Sequence, residues 1–124
     1  MALTSSVSAR EKLVPMPIDF VGDWCFDYRE NNTTNYQLPS WRAEDAGCTK
    51  DKILSVNKWG FYYEQINCDP VRIQVSKDTA PSGTSYTAVI VARCIPDGPA
   101  LQGILQTFKF DRYKGNMSVQ TFKQ

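Results

Sequence analysis

The chain contains four cysteines, Cys25, Cys48, Cys68 and Cys94, and no histidine. Those two counts bound its chemistry. Without histidine there is no Ser-His-Asp or Cys-His nucleophile, no His-ligated zinc and no side chain that ordinarily exchanges protons near neutral pH. A cysteine nucleophile would lack its activating base. No two of the cysteines form a Cys-x-x-Cys pair, so the close spacing of zinc ribbons and redox motifs is missing as well. An even number of well-separated cysteines in a small chain predicts two disulfides, and disulfides persist in oxidising compartments. The protein is therefore expected to be secreted or periplasmic. Met1 to Arg10 shows neither a basic start nor a continuous apolar run, so the expectation is an export signal replaced by an initiator Met.

Other reactive arrangements are equally sparse. Asp19, Asp23 and Asp27 recur every four residues. On one strand face they would stand about 13 Å apart, too far for a glycosidase pair, which needs roughly 5–9.5 Å. They read as a solvated face. No Gly-rich phosphate loop and no compact acidic calcium loop occurs. No catalytic residue, metal ligand or cofactor is assigned, and the protein is expected not to be an enzyme. Lys+Arg 14 against Asp+Glu 13 leaves a net charge of +1, without the basic excess of a nucleic-acid groove. No apolar run approaches the roughly 18 residues of a membrane helix.

The aromatic residues are what remains for binding. Trp24, Phe26 and Phe110 are candidates to line a barrel cavity. Tyr36, Leu38 and Trp41 form an apolar group on a long loop, a candidate lid. Trp59, Phe61 and Tyr63 gather at the Asn57-Lys58-Trp59-Gly60 turn, a candidate recognition surface that Trp41 would join. Core packing competes with each assignment, since side chains often fill small barrels.

These residues must be positioned by strands. Residues 1–17 read as a polar arm in which Pro15 and Pro17 stop any helix. Residues 18–124 read as a single β-barrel domain. From Ile18 the period becomes two, with Phe20, Trp24, Phe26 and Tyr28 on one face; Gly22 within this row suggests a bulge or a close approach. Residues 29–47 form the longest irregular stretch, with a short edge strand near Tyr36. Short strands follow at Ile53 to Val56, Phe61 to Cys68, Val71 to Val75, Tyr86 to Ile95, Ile104 to Phe110 and Met117 to Phe122. Turns are expected at Asn57–Gly60, Asp69-Pro70, Asp78–Gly83, Pro96–Pro99 and Tyr113–Asn116. About seven to eight short strands at such spacing predict an all-β fold, a small antiparallel up-and-down β-barrel, with a β-sandwich as the alternative. Spacing alone allows three disulfide pairings. In a meander, Cys68–Cys94 would tie two strands across the end of the one between them, and Cys25–Cys48 would tie the long loop back onto the first strand.

Phe20-Val21-Gly22-Asp23-Trp24 resembles the Gly-x-Trp opening of the first strand in lipocalins and avidins, the calycins. The resemblance covers about five residues. It implies a small barrel with Trp24 packed across its closed end. Some bacterial periplasmic enzyme inhibitors open on the same motif. Two functions follow as expectations: a carrier for a small apolar or aromatic ligand, or a protein-binding module such as an inhibitor of a secreted hydrolase.

Overall fold

Five two-residue turns and two longer connections divide this β-rich chain into eight strands. A computed structural model describes residues 14–39, 48–49, 52–96 and 103–122. The strands are β1 (Gly22–Glu30), β2 (Thr33–Gln37), β3 (Ile53–Asn57), β4 (Gly60–Tyr63), β5 (Ile66–Ala80), β6 (Gly83–Pro96), β7 (Ile104–Tyr113) and β8 (Asn116–Phe122). Asn31, Glu64, Gln65 and Lys114 all take positive φ at the tight turns between strands. That twist matches the twist of the paired strands.

The strands close into an antiparallel barrel in the order β1-β2-β8-β7-β6-β5-β4-β3. From β3 to β8 each strand pairs with the next. The β1–β2 hairpin closes the ring in reverse order, with β1 beside β3 and β2 beside β8. Gln37 and Ile53 therefore both lie opposite Cys25, one on each side of β1. The connection between them has to pass β1, and its Cys48 is bonded to Cys25. Trp24 and Phe26 face the interior, so alternation turns Cys25 outward to meet it.

Several local expectations change. Phe61 to Cys68 is not one strand: Glu64 and Gln65 turn the chain and place Cys68 in β5. Asp69-Pro70 does not turn; β5 runs through it with a bulge between Pro70 and Arg72. The expected loop at 78–83 shrinks to Pro81-Ser82. Cys68 and Cys94 are direct cross-strand partners on β5 and β6, with no strand between them, and they are disulfide-bonded. β2 is paired on both sides and is not an edge strand. At the N-terminus, residues 14–17 do not lie apart from the barrel. Val14 and Met16 donate backbone hydrogen bonds to Pro70 and Lys58, and Met16 is buried.

The interior is filled at one end. Phe20, Trp24, Leu54, Ile90, Phe108, Phe110 and Met117 are fully buried. Phe61 sits edge-on to Phe110 and Phe108, with ring centroids 4.9 Å and 5.0 Å away. A short 3-10 turn, Ile18–Phe20, plugs this end, and the Trp24 Nε1–H donates to the Phe20 carbonyl at 3.1 Å. Gly22 enters β1 at φ 143°, a conformation L side chains rarely adopt.

Candidate functional site

A β-bulge builds the other end. Phe26 pairs with Tyr36, yet Tyr28 pairs with Asn35, which leaves Asp27 as the extra residue. One extra residue reverses the alternation beyond it. Tyr28, expected on the apolar face, is 52% exposed. Arg29 turns inward, opposite the buried Thr34. Its Nε donates to Thr34 Oγ1 at 2.9 Å, and its Nη2 forms an ion pair with Glu64 Oε2. Glu64 reaches the site from the β4–β5 turn.

These residues edge a cup of about 280 Å³ at the barrel mouth, lined by Phe26, Arg29, Tyr36, Lys52, Ile53, Tyr63 and Glu64. That volume is just under the roughly 300 Å³ at which small-molecule pockets begin. Tyr63 stacks on Phe61 with centroids 6.2 Å apart and meets Phe108 edge-on at 6.0 Å, joining the cup to the filled core. Phe26 and Tyr36 meet edge-on at 6.4 Å. The Lys52 ammonium lies 5.9 Å from the Phe26 ring centroid. Burial raises the pKa of the Tyr36 phenol well above its ordinary value, and the Glu64 carboxylate adds to that while Arg29 opposes it. Tyr63 is raised for the same reasons in the same order. Both phenols stay protonated at neutral pH and can donate a hydrogen bond. A roomier depression of about 360 Å³ lies beside Cys48, lined by Asp23, Ile53, Ser55 and Tyr62. Among the described residues it is lined by one aromatic ring and no cation, against the three rings and two cations of the cup.

The sequence candidates divide by position. Phe26, Tyr36 and Tyr63 come together in the cup. Trp24, Phe61 and Phe110 are buried core and are not among the residues that line the cup. The loop-lid assignment fails for Tyr36, which is a buried β2 residue, and Leu38 packs against the core. Trp41 lies outside the described residues. The surface grouped around Trp59 also separates. Trp59 is 48% exposed at the β3–β4 turn, Phe61 is buried, and Tyr63 points into the mouth at the opposite end of β4. The sequence reading missed Arg29, Lys52 and Glu64, because Arg29 fell in the stretch 29–47 read as irregular, Lys52 lay just before the strand expected from Ile53, and Glu64 was read inside a single strand from Phe61 to Cys68. The one available signal was Asn31-Asn32, a hairpin turn just after Arg29, since bulges gather near the rims of barrels.

No family model, no curated protein and no solved structure matches the chain.

Proposed function

We propose that the protein is a non-catalytic, exported carrier that holds a small apolar or aromatic ligand in the mouth cup. The observation that carries this reading is the grouping of Phe26, Tyr36 and Tyr63 around an open volume of about 280 Å³ above a filled core. A ligand there would rest on aromatic faces and remain partly open to solvent, which suits reversible loading. Two disulfides are typical of extracellular or periplasmic proteins and support export. The lack of any histidine supports binding without turnover. The resemblance of Gly22-x-Trp24 to the calycin opening supports the same reading, and Trp24 is buried at the filled end with its indole bonded to the Phe20 carbonyl. Titration with the neutral fluorophore N-phenyl-1-naphthylamine tests it. Saturable binding with blue-shifted emission is expected, weakened about tenfold or more in Tyr63→Ala by the loss of an aromatic contact. Absence of saturable binding, or binding indifferent to Tyr63, would overturn the reading.

A second reading, a protein-binding module, is favoured by Trp59. It is half exposed at the tip of a hairpin, with the Lys58 ammonium 5.1 Å from its ring. An exposed tryptophan of this kind is a frequent anchor in protein interfaces.

A further inference from the structure

We infer that the mouth cup selects ligands carrying an anionic group, and that Glu64 is a built-in counterion which the ligand's anion displaces from Arg29. The inference rests on the carrier reading and adds the chemical class: a small aromatic or apolar body bearing a carboxylate or sulfonate. Three observations carry it. Among the described residues the charged ones lining the cup are Arg29, Lys52 and Glu64, two cations against one carboxylate. Arg29 is held in place by a bond that does not depend on Glu64, from its Nε to Thr34 Oγ1. Its Nη1 has no acceptor among the described residues. The guanidinium fork therefore stays aimed into the cup when Glu64 leaves, ready for bidentate contact with a planar anion. Finally, the Arg29–Glu64 pair is weakly committed. Both side chains are 46% exposed, and Glu64 stands on a two-residue turn. A pair so open to water contributes little and is exchanged at little cost.

Lys52 supplies a second, less directed charge. Its ammonium lies over Phe26, so an aromatic body packed on that ring brings its anion within the field of both cations. Glu64 then acts as a filter. A neutral ligand leaves the internal pair intact and gains nothing from Arg29, whereas an anion replaces Glu64 and gains the fork.

The test compares 1-anilinonaphthalene-8-sulfonate with N-phenyl-1-naphthylamine, which share an arylaminonaphthalene body and differ by one sulfonate. The readout is the ratio of their affinities. Glu64→Gln removes the competitor and should raise the ratio in favour of the sulfonate about threefold, the scale of an exposed ion pair. Arg29→Gln should lower it about tenfold or more, because a charge-assisted contact is lost. If Arg29→Gln does not fold, Arg29→Lys keeps the charge without the fork and should lower the ratio by a smaller factor. Raising salt in the wild type should shrink the ratio as well. A ratio unmoved by the variants and by salt would overturn anion selection and leave the cup as a neutral site, provided the neutral probe still binds. Failure of the neutral probe to bind, with sulfonate binding still lost in Arg29→Gln, would uphold the anion site and sink the apolar carrier reading. Failure of both probes would sink both.

Discussion

The Arg112 guanidinium lies 4.9 Å from the centroid of the Trp24 ring, and its Nη1 donates to the Asp19 carbonyl at 2.6 Å. One cation thus joins β7 to the tryptophan of β1 and to the 3-10 turn that plugs the barrel. The indole completes the closure with its own bond to Phe20. Trp24→Ala would open a cavity beneath this plug and orphan the Phe20 carbonyl. We expect a loss of about 3–5 kcal/mol, a large share of the roughly 5–15 kcal/mol that holds a domain of this size. Chemical denaturation of the two proteins gives the value directly, and a loss under about 1 kcal/mol would mean that the plug does not depend on the indole.

The two disulfides should appear as a mass deficit of about four hydrogens in the unreduced protein, one pair per bridge. Peptide mapping should join Cys25 to Cys48 and Cys68 to Cys94. Replacing Cys25 and Cys48 together by alanine should cost about 2–4 kcal/mol, because it opens a loop closed over a sequence separation of 23, which includes the start of the connection carried past β1. A double variant as stable as the wild type would show that strand pairing alone holds the crossing.

Tyr36 and Tyr63 give an alkaline limit to stability. Both phenols have pKa values raised above the ordinary 10.0, by burial first and the Glu64 carboxylate second. In the unfolded chain they ionise at the ordinary value. A group whose folded pKa is raised contributes stability that is complete below the unfolded pKa and is lost as pH rises beyond it. The melting temperature should hold at mildly alkaline pH and fall as pH passes about 10. Tyr36→Phe, which cannot ionise, should show a smaller fall over the same range. Equal falls in both proteins would mean that Tyr36 ionises without opening the barrel.

Trp59→Ala tests the protein-binding reading without disturbing the barrel. With the side chain 48% exposed on a turn, the change should alter stability by no more than about 1 kcal/mol. If Trp59 anchors a partner, capture from extracellular or periplasmic extract should weaken by about 2 kcal/mol or more. Unchanged capture by a folded variant would leave the turn as a hairpin and nothing further.

Much of the architecture was legible from residue order. Alternation found the strands around Trp24, Ile53, Ile90 and Phe110, and the cysteine count announced two bridges in an all-β chain, because period-two burial and loop closure are local or statistical properties of the sequence. The site was not legible. Arg29 faces inward because one extra residue, Asp27, reverses the pleat beyond Phe26, and bulges leave no composition signature. Glu64 reaches Arg29 from 35 residues away because the chain turns within what reads as one strand, between Tyr63 and Ile66. The reversed order of β1 and β2 was equally hidden, since either order keeps the same faces buried. Sequence determined the period-two apolar rows from which most of the core is drawn, among them Trp24, Ile90 and Phe110. Closure of the barrel decided which residues would meet at its mouth, because that depends on register and strand order, which only long-range pairing sets.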